Sequence, residues 1–239
     1  MPSDPRDVFA SWTASGVRVA VVDSGVHAAH PHVGGVAGGA HIRADGGVDD
    51  DWVDRVGHGT AVAAAVREKV DEVELFAVRV FETSLSSDVR VLLRGIEWAA
   101  RAGCQLINLS LGTIVPEHER VLQEAVAMAT DAGAVIVAAG DDRGVRWLPG
   151  TLPGVLQVRA DWSMPRDIFT VERDESGAVV CRASGYPRPI PGVPVERNLK
   201  GVSFAVGNMT GFAARFVQPG ERLTLGLLTD RLEQVAAMA

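Results

Sequence analysis

The sequence predicts an α/β fold, a three-layer, doubly wound and mainly parallel sheet with helices on both faces. Strand-like and helix-like segments alternate from residue 58 to residue 140, which is the pattern that such a sheet requires. Several strand segments are continuous apolar runs, as expected for strands that are buried on both faces. With 239 residues and 47% hydrophobic content, the chain can bury a sizeable core, so we expect 1–239 to form a single domain.

Hydrophobic periodicity gives approximate bounds for the elements. Strands are predicted over 17–22, 73–80, 104–111, 134–140 and 154–160, and helices over 58–69, 88–102, 117–133 and 201–216. Ser87 or Asp88 can cap the second of these helices. Residues 1–16 contain two prolines and are interpreted as an arm, whereas 219–239 are interpreted as a short break and a final amphipathic helix.

The remaining segments are predicted to be loops and a hairpin. Residues 34–56 are rich in glycine and favour a loop, and 167–184 predict a hairpin with its turn at 174–177. Four prolines lie between Pro187 and Pro194, and proline cannot donate to the hydrogen bonds of a central strand. This stretch is therefore expected to be a loop at the rim of the domain.

Charge and composition exclude several classes of partner. The net charge is −7 and the basic residues are scattered, so no basic patch indicates nucleic-acid binding. No apolar run is long enough to span a membrane or to form a signal peptide. Cys104 and Cys181 are too few for a disulfide framework. We therefore expect a cytoplasmic protein without membrane contact, and the sequence does not indicate an oligomeric state.

Three polar residues lie at the ends of predicted elements, each close to a glycine. Asp23 follows the first strand, His58 begins an Ala- and Val-rich helix, and Ser203 lies in the first turn of the apolar helix at 201–216. Each has an ordinary structural interpretation, as a turn former, a surface histidine or an N-cap. A hydroxyl at a helix N-terminus also lies among unpaired backbone N–H groups that can face a developing negative charge. Three such coincidences favour one site that contains all three residues.

The segments around these residues resemble the motifs of the subtilisin-like serine proteases, the subtilases. VVDSGV resembles the aspartate motif of that family, DRVGHGTAVAAAV its histidine motif, and GVSFA its serine motif with two substitutions. The order Asp, His, Ser along the chain is also that of subtilisin. INLSLG at 107–112 and VIVAAGD at 135–141 are similar to two connecting segments of the family. The resemblance runs from about Val17 to Phe216.

The resemblance implies a serine endopeptidase that acts on a peptide or protein substrate. It implies that Ser203 is the nucleophile, that His58 is the general base and acid, and that Asp23 orients the imidazole. It also implies that two segments line a cleft in which the substrate binds as an added strand. The lining residues implied are Ser110, Leu111, Gly112, Ala138, Ala139 and Gly140, with Asp142 at the border of the specificity pocket, which favours basic side chains.

Asp141 departs from the family pattern. Most subtilases have an asparagine at this position, and its amide donates to the tetrahedral oxyanion beside the backbone N–H of the serine. An ionised Asp141 would repel that oxyanion, so only a protonated carboxyl could donate. Burial at the end of the sheet is one way to keep the carboxyl protonated. The oxyanion hole implied by the resemblance therefore consists of Ser203 and, when protonated, Asp141.

Two further departures leave other functions open. The serine helix has Val202 where the family has threonine, and Gly207-Asn208 where it has a Pro-His pair. One interpretation is a small intracellular endopeptidase that processes a specific precursor peptide, for which the usual long pro-segment has little room before Val17. A second is a catalytically impaired subtilase that binds peptides. A third is a transferase or ligase that uses the same acyl-enzyme.

No metal or other cofactor is required by the chemistry that the resemblance implies. The three histidines at 27–32 invite a zinc interpretation, but they flank a proline in a loop and lack a fourth ligand. Calcium is common in the family, yet its usual ligand loops are not recognisable, and the carboxylates at 49–51 lack the spacing of an EF-hand. Because this acidic loop leads to His58, we expect its charge to border the cleft and to favour cationic side chains.

Overall fold

The computed structural model describes residues 14–141 and 144–236 of the chain. Within that part, the strands are β1 Arg18–Asp23, β2 Gly38–Ile42, β3 Val48–Asp49, β4 Glu74–Arg79, β5 Leu106–Leu109, β6 Val135–Ala139, β7 Val155–Asp161, β8 Phe169–Arg173 and β9 Val179–Ser184. The α-helices are α1 His58–Lys69, α2 Val89–Arg101, α3 Glu119–Asp131, α4 Val202–Ala214 and α5 Leu225–Ala236. Short 3-10 turns cover Pro116–His118 and Val195–Arg197. Most of the predicted arm, residues 1–13, lies outside the described residues.

The strands of the described residues form one sheet in the order β3-β2-β4-β1-β5-β6-β7-β9-β8. All neighbours are parallel except the two edge pairs, β2 with β3 and β8 with β9. From β1, the chain first builds the sheet toward β4 and β2, and then toward β5, β6 and β7 on the opposite side. This reversal makes a crevice between the carboxyl ends of β1 and β5, where doubly wound sheets bind ligands.

Helices cover both faces of the sheet, which confirms the predicted fold class. One core contains apolar residues of α1, α4 and α5, and the core on the other face contains those of α2 and α3. Helix α2 begins after Asp88, whose side chain accepts a hydrogen bond from the backbone N–H of Arg90, as the sequence predicts. The helix pair α1 and α4 is central to the first core and carries two of the predicted site residues at its N-terminal ends.

Two glycines of α4 let its backbone approach α1 closely. A Cβ atom at Gly207 would lie 3.3 Å from the carbonyl oxygen of Val62, and one at Gly211 would lie 2.7 Å from that of Val66. The second distance is shorter than side chains tolerate, so a larger residue at Gly211 requires the helices to move apart. The family's Pro-His pair is thus replaced in part by a residue that serves helix packing.

The glycine-rich segment 34–56 contains strands β2 and β3, although the sequence predicts only a loop there. Glycine disfavours strands because it has no side chain to pack. At Gly39, however, the ring of Trp52 fills the space of the missing side chain, 2.6 Å from where a Cβ atom would stand. Tertiary packing therefore explains a strand that local preference does not predict.

Cys104 and Cys181 are both buried and free. Burial raises the pKa of each thiol to about 12.

No helix within residues 14–141 and 144–236 is long and apolar enough to cross a bilayer.

Candidate active site

Asp23 and His58 form a direct side-chain contact at the carboxyl end of β1. Asp23 is the last residue of that strand and is fully buried, and His58 is the first residue of α1. Nδ1 of His58 lies 2.8 Å from Oδ1 and 3.0 Å from Oδ2 of Asp23. The backbone N–H of Ser24 donates to Oδ1 of Asp23 at 2.7 Å. Because Nδ1 faces both carboxylate oxygens of Asp23, it is the nitrogen that donates, and Nε2 is then the basic nitrogen.

The local charges raise the pKa of His58 above its ordinary value. Burial alone would lower this pKa, because it disfavours the imidazolium. The hydrogen bond to Asp23 and the negative charges of Asp23 and Asp54 outweigh burial and stabilise the protonated ring. The site therefore favours a positive charge on His58 more than water does.

Ser203 lies in the first turn of α4, next to the same sheet edge. The N-cap of that helix is Gly201, without a side-chain hydrogen bond, so Ser203 is not the cap. Its hydroxyl donates instead to the backbone carbonyl of Ser110, at 3.1 Å. The ring of Phe204 lies 5.5 Å from the ring of His58 between centroids, so the first turns of α1 and α4 are neighbours. The structure thus brings the segments of all three predicted residues to one edge.

A buried polar network supports Ser110. Asn108 is fully buried in β5, and its Nδ2 donates to the hydroxyl of Ser110 at 2.6 Å. The hydroxyl of Thr210 in α4 donates to Oδ1 of Asn108 at 3.0 Å. Analysis of the sequence missed both residues, although a polar side chain inside the apolar strand LINL is a usable signal.

Comparison with known proteins identifies the family. Residues 14–165 match the model of the subtilase family, which is more than half of the chain. The chain belongs to the subtilase family. The matched range contains Asp23 and His58 and ends before Ser203. The enzyme class of this subtilase is that of its family, the serine endopeptidases, as the sequence motifs predict.

Several proteases, two of them named subtilisins, are similar to this subtilase over most of its length. Subtilisin Savinase of Lederbergia lenta is 29% identical over a stretch that covers 86% of this chain and 74% of that protein. An alkaline protease of Alkalihalobacillus alcalophilus is also 29% identical, covering 86% of this chain and 53% of the relative. Subtilisin E of Bacillus subtilis (strain 168) is 26% identical over a stretch that covers 94% of this chain and 61% of that protein. The chain thus spans between about half and three quarters of the length of these relatives.

Two solved structures share the fold. A cold adapted subtilisin-like serine proteinase superposes with a TM-score of 0.71 at 24% identity, over 93% of this chain and 83% of that one. Sphericase superposes with a TM-score of 0.70 at 21% identity, over 98% and 89% of the two chains.

The segments predicted to line a peptide cleft extend from adjacent parallel strands. Residues 110–112 follow β5, whereas 138–139 end β6 and Gly140 follows it, with Leu109 and Ala138 in register. Beyond them, Thr113 and Leu148 form an antiparallel bridge through two backbone hydrogen bonds, of 2.9 and 2.8 Å. The ring of Trp147 lies 3.6 Å from the position of a Cβ atom at Gly112. One end of the predicted cleft is therefore bordered by the segment that carries Trp147 and Leu148.

The acidic residues after β6 are described in part. Asp141 is half-buried, and its Oδ1 accepts a hydrogen bond of 3.1 Å from the backbone N–H of Gly144. Asp142, predicted to border the specificity pocket, lies outside the described residues.

Asn208 of the substituted Pro-His pair is fully buried. Its Nδ2 donates to the carbonyls of Ser184 and Tyr186, at 2.9 and 3.0 Å. It therefore ties α4 to the end of β9 and the segment that follows, which is a role in packing.

The carboxylates of the acidic loop mostly contact arginines of the same region. Asp49 lies 2.8 Å from Arg43, and Asp51 lies 2.7 Å from Arg55 and 3.2 Å from Arg79. These ion pairs leave less free negative charge beside the site than the sequence predicts. They also make this loop a poor match for calcium, because the carboxylates already face cations.

The three histidines at 27–32 line a cavity. The rings of His30 and His32 are in edge contact at 5.2 Å between centroids. In the described part of the chain, no group of three or more His, Cys, Asp or Glu side chains is arranged to hold a metal ion. The cavity, of about 600 Å³, lies between this loop, the outer face of α1 and the proline-rich segment 187–199.

Proposed function

We propose that this subtilase hydrolyses peptide bonds through an acyl-enzyme on Ser203. The supporting observation is the contact of both carboxylate oxygens of Asp23 with Nδ1 of His58, at 2.8 and 3.0 Å. This contact fixes the tautomer whose Nε2 can accept a proton. The hydroxyl of Ser203 belongs to the helix turn next to that ring, so nucleophile and base come from neighbouring elements.

The proposed reaction has two steps. Ser203 Oγ attacks the carbonyl carbon, and its proton passes to Nε2 of His58; the C–N bond then breaks as the imidazolium protonates the leaving amine. In the second step, water gives a proton to Nε2 of His58 and attacks the ester carbonyl carbon. The bond between that carbon and Ser203 Oγ then breaks, the imidazolium of His58 returns its proton to Oγ, and the carboxylic acid product leaves. The hydroxyl, which now donates to the carbonyl of Ser110, has to turn toward His58 first. We assign the oxyanion to the N–H of Ser203 and, when protonated, to Asp141.

We further propose an extended peptide or protein substrate that pairs with residues 110–112, and a narrow target such as a precursor peptide. Side chains and backbone of this chain suffice for the chemistry, without a metal. We propose a cytoplasmic location, because two free, buried thiols suit a reducing compartment.

A second candidate function is peptide binding without efficient turnover. It is favoured by Asp141, whose carboxylate occupies the position of the usual amide donor and accepts from Gly144.

A fluorophosphonate probe distinguishes the two functions. We expect covalent labelling of the wild type that is lost in Ser203→Ala and retained in Ser163→Ala, a control at an exposed serine. Failure of the wild type to react between pH 5 and 9 would favour the binding function. Analysis of the products from a peptide library then tests whether the acyl group passes to water or to another amine.

A further inference from the structure

Asp54, four residues before His58, accepts five hydrogen bonds. Its Oδ1 accepts from the hydroxyl of Ser24 at 2.9 Å and from the backbone N–H groups of Val56 and Gly57, at 2.9 and 2.7 Å. Its Oδ2 accepts from the backbone N–H and the hydroxyl of Thr60, at 2.9 and 2.6 Å. A carboxylate with this many donors is fixed in position.

These hydrogen bonds connect the two segments that carry the Asp23–His58 contact. Ser24 directly follows the aspartate, and its hydroxyl also accepts from the backbone N–H of Gly59, at 2.9 Å. The hydroxyl of Thr60 accepts from the backbone N–H of His27, at 3.0 Å. Asp54 is therefore at the centre of a network that joins the loop after β1 to the first turn of α1.

Asp54 and Ser24 together supply acceptors for the N–H groups at the N-terminal end of α1. Its N-cap is Gly57, in the left-handed region at φ 92°, and glycine offers no side chain to the free N–H groups. Asp54 takes the role of a cap from outside the helix, because it accepts from Gly57 and Thr60. This carboxylate therefore joins the loop before α1 to the helix turn that carries His58.

We infer that Asp54 is a positioning residue, which acts through Ser24 and the first turn of α1 to hold His58 on Asp23. The inference rests on the proposed function, because the positioned imidazole is the proposed base. Asp54 does not need to touch the substrate for this role.

The charge of Asp54 also affects the pKa of His58, which provides a second, separate test of the positioning role. Burial would raise its pKa, but the hydrogen bonds from Thr60, Gly57 and Val56 outweigh burial and lower it. Asp54 is therefore ionised when the site works, and its charge adds to that of Asp23 in raising the pKa of His58. Among residues 14–141 and 144–236, these two carboxylates are the charged groups that shift the pKa of the ring, which also packs against Phe204.

The test separates position from charge with two variants. Asp54→Ala removes every acceptor, and we expect kcat to fall by about 10- to 100-fold with a nearly unchanged KM. Asp54→Asn keeps one acceptor oxygen but no charge, so the acidic limb of kcat/KM should move to lower pH by roughly 0.5 unit. Asp131→Asn, at the exposed end of α3, is the control and should leave both values unchanged.

Nuclear magnetic resonance of the imidazole tests the same inference without turnover. In the wild type, the Nδ1 proton of His58 should give a downfield signal from its bond to Asp23, and Asp54→Asn should weaken the signal and lower the titration midpoint. An unchanged signal and midpoint in a folded Asp54→Asn protein would overturn the inference, whether or not the protein cleaves peptides. A wild-type protein that shows the expected Nδ1 signal but does not react with the fluorophosphonate probe would instead refute only the proposed function.

Discussion

At the scale of single residues, His58 is subject to two opposing effects. Burial disfavours its charged form, whereas Asp23 and Asp54 favour it. The effect of the carboxylates is larger, so the pKa of His58 is raised. A base in such an environment is protonated at a higher pH than a free histidine, whose pKa is about 6.5. The proposed reaction needs the neutral ring, so this balance limits activity on the acidic side.

We therefore expect kcat/KM to decline as pH falls through a value above about 6.5. The effect on stability has the opposite sign. Because the folded state raises the pKa of His58, its contribution to the free energy of unfolding is fully present below about pH 6.5 and is lost as pH rises through the folded value. A pH–rate profile combined with urea unfolding at each pH measures both trends. A profile that declines only below pH 6 would contradict the expectation.

Asp141 is the residue whose replacement is expected to increase activity. Loss of an asparagine donor is known to cost a subtilisin roughly 10²–10³-fold in kcat, because the oxyanion loses a hydrogen bond. We expect Asp141→Asn to raise kcat by about 10-fold or more, since an amide adds a donor, whereas the Asp141 oxygen accepts a hydrogen bond from the N–H of Gly144. Single-turnover acylation measures the effect directly. An unchanged rate would mean that the carboxyl already donates as the protonated form.

At the scale of elements, the packing of α1 against α4 fixes the distance between the proposed base and nucleophile. Gly207 and Gly211 are one helical turn apart on the face of α4 toward α1, and backbone atoms of α1 occupy the space beside them. Each helix starts at the site, so a shift at this contact is transmitted to His58 and Ser203.

We expect Gly211→Ala to lower the free energy of unfolding by about 1–3 kcal/mol, because the added methyl would collide with the carbonyl of Val66. The matched control is Gly226→Ala in α5, where nothing lies within 4 Å of the new Cβ. That change should stabilise the protein by about 0.5–1 kcal/mol through helix propensity. Denaturant unfolding of both variants measures the difference. Equal effects on stability would show that the helix contact has more room than the structure indicates.

At the scale of the whole molecule, the cores on both faces of the sheet exclude water from both thiols. Since burial raises the pKa of Cys104 and Cys181 to about 12, neither forms a thiolate near neutral pH in the folded state. We expect alkylation by iodoacetamide at pH 8 to be negligible in the native protein and rapid after unfolding in urea. Mass spectrometry along a urea series measures it. Fast labelling of either cysteine without denaturant would indicate local opening of its core.

The overall sheet and helix order could be predicted from sequence because hydrophobic periodicity is a local signal. The predicted helix at 58–69 has the bounds of α1, and the strand ends after β1 and β5 were identifiable from apolar runs that stop at polar residues. Strands β2 and β3 could not be predicted, because Gly39 needs Trp52 to complete its packing.

Parts of the candidate site depend on contacts between distant segments. Thr210 donates to Asn108, which is 102 positions earlier, and Ser24 donates to Asp54, which is 30 positions later. The motif containing Asp54 was identifiable from sequence, but its five donors were not. Periodicity contains no information on such pairings, so they become visible only in three dimensions.

The contact between α1 and α4 should hold the site together after a single proteolytic cut. The proline-rich segment 187–199 lies between these helices in the chain, and a single cut there would leave base and nucleophile on different fragments. Buried apolar residues of α4 pack against α1 and against the sheet. We therefore expect the two fragments to stay associated without a covalent link. A nicked molecule is therefore expected to keep its site assembled.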